Sequence, residues 1–130
     1  MKLKDLLKAK EALMRLTDKH FNSYKTIRQL VALRKAVDAE VETYLAEEKK
    51  AITAYAELDE KGNPVILAEG RVRLKDEKSK VLFEKELTAI RETDIEGIDS
   101  ITLKEEDFHS VEDIPTPNDI LLLDPIVVFE

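Results

Sequence analysis

The sequence predicts a mainly helical α+β protein whose 130 residues form a single domain. Two observations carry this prediction. Over about residues 26–58, apolar residues recur three, four or seven positions apart and neither Gly nor Pro interrupts them, which is typical of a long amphipathic helix. Charged residues make up 38% of the chain and aromatic residues only 5%, a balance that favours long solvated helices over a compact β-sandwich.

The first element is a leucine-rich helix expected over about residues 2–19. Its apolar residues recur at helical spacing, and Ala9 and Ala12 raise the helix propensity. Cap-forming residues, Asn22 and Ser23 among them, break the pattern before the second helix. Because the loop is short, the two helices are expected to be antiparallel neighbours, so residues 1–58 form a long N-terminal helical hairpin.

The second helix is the longest predicted element. It outruns the first by about 15 residues, or roughly 22 Å, so its C-terminal end has to be covered by later residues or by another copy of the chain. Its predicted core stripe consists of Ile27, Leu30, Val31, Val37, Val41, Tyr44, Leu45, Ile52 and Tyr55.

Residues 59–130 are expected to form a mixed α/β portion. The turn-forming residues 59–64 end the long helix. Two extended segments, residues 65–67 and 71–74, then flank a second turn at Gly70 and predict a small irregular β-hairpin. A third helix is expected over about residues 75–91, packed on the protruding end of the second helix.

The last segment combines helix signals with an apolar end. Thr116 is expected to cap a short helix that has Pro117 in its first position, and Pro125 is expected to stop it. Residues 126–129 form an apolar run that suits a strand or a docking segment. If the third helix covers the end of the second, this tail needs a site of its own, and exposed apolar patches usually mark interfaces. The candidate interaction surface consists of Ile52, Tyr55, Leu121, Leu122, Ile126 and Phe129.

Self-association through the helical hairpin is the expected consequence. A symmetric homodimer would cover the overhang and the tail, and it is the commonest oligomeric arrangement. The opposite charges of the two ends of the chain would favour an antiparallel dimer. The competing arrangement is a monomer whose tail folds back onto the hairpin.

Charge is distributed unevenly along the chain, whose net charge is −7. Residues 1–35 carry ten Lys or Arg against three Asp or Glu, whereas residues 36–130 carry eleven against twenty-five. After Arg91, twelve acids face the single Lys104. Such a chain can bind itself head to tail or offer two different faces to partners, although the simplest interpretation is that its basic start and acidic tail attract each other within the fold.

No residue pattern predicts a catalytic residue, a cofactor or a metal ion. The chain lacks the G-x-S-x-G, P-loop and G-x-G-x-x-G patterns, and its three glycines cannot build a phosphate-binding loop in the usual way. Glu105, Glu106, Asp107 and His109 offer metal ligands, but the Glu-x-x-His spacing occurs once here, whereas di-metal bundles use it twice. A solvated acidic turn is the better interpretation, and the chain is not expected to be an enzyme.

Nucleic acid and membranes are not expected partners. A basic cluster with two aromatic residues could contact nucleic acid, yet the chain as a whole is acidic and contains no helix-turn-helix spacing or RNA-binding motif. No apolar run reaches about 18 residues, so no membrane span is predicted. The basic cluster consists of Lys19, Lys25, Arg28, Arg34 and Lys35, with Phe21 and Tyr24.

Five stretches, taken in order, form a recognisable pattern. They are "MKLKDLLKAKEALMRL", "YKTIRQLVALRKAVDAEVETY", "AELDEKGNPV", "LFEKELTAIRETDIEGIDSITL" and "PTPNDILLLDPIVVF". This order of a leucine-rich helix, a long charged helix, a D-x-x-G-N turn and an acidic portion with a leucine-rich end resembles a group of small uncharacterised proteins of tailed phages and prophages of Gram-positive bacteria. The stretch "ILAEGRVRLKDEKSK" departs from that pattern. The resemblance implies a phage origin and assigns neither an activity nor a functional residue.

These observations predict a non-enzymatic phage or prophage protein that binds another protein of the phage or the host, in particle assembly or as an accessory factor. It is expected in the host cytoplasm, with association to the virion as a further option. The alternative is an acidic inhibitor that mimics DNA and occupies the basic groove of a host nucleic-acid enzyme.

The absence of catalytic and phosphate-binding patterns leads to a direct test with metals and nucleotide. Divalent metal ions and ATP should leave the thermal unfolding midpoint unchanged, because only a ligand that binds the folded state raises it. Thermal denaturation with each ligand well above any plausible dissociation constant measures this. A metal-induced shift that disappears in His109→Ala would contradict the prediction.

Overall fold

The computed structural model describes the backbone of residues 1–130 and every side chain except that of Glu69. Over these residues the chain forms four α-helices and a two-stranded parallel sheet, so a mainly helical α+β fold is confirmed. Short 3-10 turns lie at Ala68–Gly70, Glu105–Asp107 and Val111–Asp113. The helices are α1 (Leu3–Thr17), α2 (Tyr24–Tyr55), α3 (Glu77–Arg91) and α4 (Pro117–Leu123), and the strands are β1 (Ile101–Leu103) and β2 (Val127–Phe129).

The chain divides into two compact units. The first unit contains residues 1–41 and 94–130, and the second contains residues 42–93. The first unit is therefore discontinuous in sequence.

The buried side chains of the first unit come from both parts of its sequence. The apolar stripe of α1 is buried along its whole length, as its spacing of three and four predicts. Helix α4 packs against α1, and β2 pairs with β1. The buried apolar residues of this unit are Leu3, Leu6, Ala9, Ala12, Leu13, Leu16, Leu30, Leu33, Val37, Val41, Leu103, Phe108, Leu123, Ile126 and Val127.

An ion pair joins α1 to α4. The Arg15 guanidinium donates to both carboxylate oxygens of Asp119, and its shortest contact, Nη2 to Oδ1, measures 2.7 Å. These hydrogen bonds lower the pKa of Asp119, although burial opposes the shift. Helix α4 begins as the sequence predicts, since the Thr116 hydroxyl accepts from the backbone N–H of Asp119 and Pro117 occupies the first turn. The pair also places a cation at the end of α1 and an anion at the start of α4, which suits both helix dipoles.

The two strands are parallel because α4 lies between them in the sequence and provides the crossover. Ile101 pairs with Val127, and Leu103 pairs with Phe129. Ile126 and Val127 are fully buried within the chain itself. These two residues of the apolar tail therefore have a site within their own unit. The homodimer stays a prediction.

The long helix is found, but its predicted core stripe is only partly right. Ile27, Val31 and Leu45 are 42%, 47% and 51% exposed, respectively. Leu30, Val37, Val41 and Tyr44 are buried as predicted, and Leu33 joins them in the buried stripe. At about 100° per residue, the three exposed residues lie roughly 80–120° around the helix from that stripe. Spacings of three and four occur among the exposed residues and among the buried ones, so the sequence pattern alone does not show which residues are buried.

The second unit contains a small antiparallel meander between α2 and α3. The Val65 N–H donates to the Glu57 carbonyl, and the Arg73 N–H donates to the Val65 carbonyl, both at 2.9 Å. The predicted pairing of residues 65–67 with 71–74 is present as a bridge between Ile66 and Val72. Gly70 takes a φ of 73° in the turn between them, a conformation that glycine adopts without strain.

Helix α3 contacts the C-terminal half of α2, the part of α2 on which it is predicted to pack. The Tyr55 and Phe83 rings meet edge to face with centroids 6.4 Å apart. The Arg91 guanidinium donates to the Tyr44 hydroxyl at 2.9 and 3.0 Å, and that hydroxyl donates to the Glu48 carboxylate. Burial and the hydrogen bond to Glu48 raise the pKa of Tyr44, while Arg91 opposes the shift.

The corrected stripe on α2 predicts that two valines of one helix respond differently to the same substitution. Val41→Asp should destabilise the protein by about 3 kcal/mol or more, because it places an unpaired carboxylate at a site that is 4% exposed. Val31→Asp should cost less than about 0.5 kcal/mol, because Val31 is 47% exposed. Urea denaturation of both variants measures the difference, and equal midpoints would contradict the observed stripe.

Candidate interaction surface

Four of the six residues expected to form an interaction surface lie in the C-terminal segment of the first unit. Ile126 is fully buried, and Leu122 and Phe129 are half-buried. Leu121, at 74% exposed, is the one member of these four that projects into solvent. The segment therefore contributes mainly to the packing of its own unit.

The other two residues, Ile52 and Tyr55, lie in the second unit. Both are half-buried, and Tyr55 contacts Phe83 of α3. A hydrogen bond to the Glu86 carboxylate raises the pKa of Tyr55. Tyr55 thus belongs to the contact between α2 and α3.

A row of exposed apolar side chains lies on the N-terminal half of α2. Tyr24, Ile27 and Val31 are 75%, 42% and 47% exposed. Their spacing of three and four places them along one line of the helix surface. Single exposed apolar residues are common, but an aligned row is the arrangement that a helix presents to a partner.

The same part of α2 carries three exposed cations. Lys25, Arg28 and Lys35 have no carboxylate within 4 Å among the described residues, and Arg28 lies over the Tyr24 ring at 5.9 Å from its centroid. Arg34 differs, because it pairs with Asp38 at 3.7 Å. The α2 face, as we name it, consists of Tyr24, Lys25, Ile27, Arg28, Val31 and Lys35.

Two shallow grooves adjoin the α2 face. One has a volume of about 440 Å³ and is lined by Tyr24, Arg28 and Ala32 together with their neighbours on the helix. The other has a volume of about 420 Å³ and lies between Ile27 and the loop residues that precede α2, including Phe21. Both are open depressions that suit the side chains of a partner better than an enclosed small molecule.

The start of α2 is fixed by its own cap and by the C-terminal segment. The Ser23 hydroxyl accepts from the Thr26 N–H, as the predicted cap requires. The Asn22 amide group donates to the Phe108 carbonyl at 2.9 Å, and the backbone N–H of Asn22 donates to the Asp107 carbonyl at 3.0 Å. The loop of residues 18–23 is therefore held against residues 105–113, and this contact sets where the α2 face begins.

Two aromatic rings and a carboxylate complete this contact. The Phe21 and Phe108 rings lie 5.2 Å apart between centroids. Asp113, which is 8% exposed, accepts from the backbone N–H of His20 at 3.1 Å and from the Ser110 hydroxyl at 3.0 Å. The hydrogen bond from His20 lowers the pKa of Asp113, burial opposes it, and Ser110 adds to the lowering.

The acidic segment that offered metal ligands is engaged in backbone contacts. The Asp107 carboxylate accepts from the Lys104 N–H at 2.7 Å, and His109 Nδ1 lies 3.3 Å from the Asn22 side-chain oxygen. Among the described residues, no three His, Asp or Glu side chains are grouped as metal ligands. Within the same residues, no helix is both long enough and apolar enough to cross a membrane.

Comparison with protein families, curated proteins and solved structures finds no match for this chain. The functional argument therefore rests on the surface itself. Sequence reasoning placed Tyr24, Lys25, Arg28 and Lys35 in one basic cluster but assigned Ile27 and Val31 to the core. The structure separates the exposed from the buried residues by the phase of the buried stripe, which runs from Leu30 to Leu33 to Val37.

The Asp113 contact predicts a pH-dependent contribution to stability. The pKa of Asp113 is lower in the folded protein than in the unfolded chain, so its carboxylate stabilises the fold at pH values above its ordinary pKa of about 4. This contribution is lost as the pH falls from about 4 through the lower, folded-state pKa. Asp113→Asn should therefore lower the urea midpoint at pH 7 and lower it less at pH 3.

The matched control for this prediction is Glu112→Gln, a neighbouring exposed position. It should leave the urea midpoint close to that of the unchanged protein at both pH values. A loss in Asp113→Asn that is equal at pH 7 and pH 3 would show that the carboxylate charge contributes nothing.

Proposed function

We propose that this protein is a non-enzymatic phage or prophage protein that binds another protein through the α2 face, in particle assembly or as an accessory factor. The observation that carries the binding proposal is the aligned row of Tyr24, Ile27 and Val31, which the chain leaves exposed. Burying such a row would contribute roughly 25 cal/mol for each Å² of apolar surface removed from water. The phage origin is supported by the resemblance in the order of sequence elements.

The proposal includes an antiparallel hairpin of α1 and α2 as the scaffold of the surface. A loop of residues 18–23 joins the helices, which favours antiparallel neighbours. The Arg34 guanidinium on α2 donates to the Thr17 hydroxyl at the end of α1 at 2.8 Å. A pair of helices connected in this way would present the α2 face on a rigid support, which lowers the entropic cost of binding.

Absence of catalysis is proposed because the buried carboxylates have structural partners. Asp113 is satisfied by the His20 backbone and Ser110, and Asp119 by Arg15. A catalytic acid or base needs a side chain free to exchange a proton with substrate. Among the described side chains, no buried nitrogen or oxygen atom lacks a hydrogen-bond partner.

The acidic inhibitor remains the alternative proposal and draws less support. Of the twelve acids that follow Arg91, four have partners within the chain: Asp107, Asp113 and Asp119 accept hydrogen bonds, and Glu130 lies 3.9 Å from Lys104. Fewer acids are then left to imitate DNA phosphates. Binding by such a mimic should weaken steeply with salt, whereas binding through an apolar row should not.

Affinity capture from infected or lysogenic host cells tests the proposal. The unchanged protein should retain a specific protein, and the double variant Ile27→Asp with Val31→Asp should lose it, because two carboxylates would enter the interface. Val81→Asp is the matched control, since Val81 is a helical valine that is 61% exposed and lies in the second unit.

Circular dichroism shows whether each bait remains folded. Capture of the same protein by the unchanged bait, by Val81→Asp and by the double variant would exclude the α2 face as the binding site. Failure of every folded bait to retain any specific protein would contradict a protein-binding function.

A further inference from the structure

We propose that the partner presents an acidic amphipathic helix, which lies along the α2 face. This inference rests on the proposed function and adds the chemistry of the partner to it. It follows from the shape of the α2 face, from its charge, and from the poorer fit of a second copy of the chain and of nucleic acid.

The shape of the α2 face suits a second helix. From Tyr24 to Lys35 it extends over about three helical turns, or roughly 16 Å. Its apolar residues follow the spacing with which one helix packs against another, and shallow grooves adjoin the row. A partner helix with apolar residues at positions i, i+3 or i+4, and i+7 would align with Tyr24, Ile27 and Val31.

The charge of the α2 face indicates that the partner helix carries acidic residues beside its apolar stripe. Lys25, Arg28 and Lys35 are exposed and have no carboxylate partner within 4 Å among the described residues. Partners arrange opposite charges at the rim of an apolar contact, which selects the correct partner and speeds association. Glu or Asp residues flanking the apolar stripe of the partner would meet these three cations.

A second copy of the chain fits this surface poorly. In a two-fold dimer the same patch occupies both sides of the interface. The two sets of Lys25, Arg28 and Lys35 would then share one interface, and like charges placed together disfavour binding. The α2 face therefore fits a partner of different sequence.

Nucleic acid also fits less well than an acidic helix. Phosphates would pair with the three cations, but Ile27 and Val31 offer neither hydrogen bonds nor a stacking surface to a nucleotide. The apolar row of the α2 face would therefore find no partner in a complex with nucleic acid.

The probe that tests this inference is a synthetic acidic peptide of about 14 residues, long enough for three to four helical turns. It carries Leu at helical spacing and Glu on both sides of that stripe. A peptide of identical composition with the spacing scrambled is the control for shape, and a peptide with Lys in place of Glu is the control for charge. NMR titration of the isotopically labelled protein reports both the affinity and the residues that respond.

The acidic amphipathic peptide should shift the amide signals of residues 24–35 and bind at least roughly tenfold more tightly than either control peptide. The charge-reversed double variant Lys25→Glu with Arg28→Glu should no longer bind this peptide and should bind the Lys peptide instead. Lys49→Glu, an exposed lysine on the C-terminal half of α2, is the matched control and should bind as the unchanged protein does.

Three results of the binding measurements would overturn the inference. They are equal affinity for the ordered and scrambled peptides, binding that survives the charge reversal, and tighter binding to phosphatidylglycerol vesicles or to a DNA duplex than to the peptide. Dimerisation through the α2 face, seen as a doubled mass in light scattering, would also overturn the inference, in favour of a second copy of the chain. If the acidic peptide does not bind while capture of the protein partner still requires Ile27 and Val31, the proposed function stands and only the proposed chemistry of the partner is wrong.

Discussion

Covering the leucine stripe of α1 is the constraint on which the first unit depends. Six residues of a fifteen-residue helix are buried, and the side chains that cover them come partly from the opposite end of the sequence. Helix α4 packs against α1 and contributes the buried Leu123 to this unit, in which Ile126 and Val127 are also buried. The Arg15–Asp119 pair fixes α4 on α1 at a single register, because a guanidinium and a carboxylate bond in a defined planar geometry.

The same C-terminal segment positions the surface that we propose binds a partner. Residues 105–113 hold the loop before α2 through Asn22, Phe21 and the His20 backbone. The first turn of α2 is thereby fixed in the fold, although its outer side chains contact little else. A partner would meet a helix start that is already ordered, so less conformational entropy would be lost on binding.

Local signals in the sequence predicted the helices well, and contacts between distant segments were the part that they missed. The periodicity of α1, α2 and α3 and the Thr116 cap of α4 are properties of short windows, and the observed bounds lie within a few residues of those predicted. The parallel pairing of β1 with β2 has no such signature, since each strand has three residues. Burial of Ile126 depends on that pairing. The sequence predicted the charged residues of the α2 face but not its apolar ones. Charge is visible in the sequence, whereas the exposure of Ile27 and Val31 depends on which side of α2 is covered.

The discontinuous first unit has a consequence for how the protein is made. Arg15 and Asp119 are 104 positions apart, so the contact between α1 and α4 closes a long loop, and closing long loops slows folding. At about 5–20 residues per second, residues 42–130 follow residue 41 from the ribosome over roughly 4 to 18 seconds. Until α4 is synthesised, the leucines of α1 lack the part of their cover that it provides, whereas residues 42–93 are complete as a unit once residue 93 is made. The nascent chain therefore carries an apolar helix that is only partly covered until α4 is synthesised, and this is the stage at which a holdase chaperone would find its binding site.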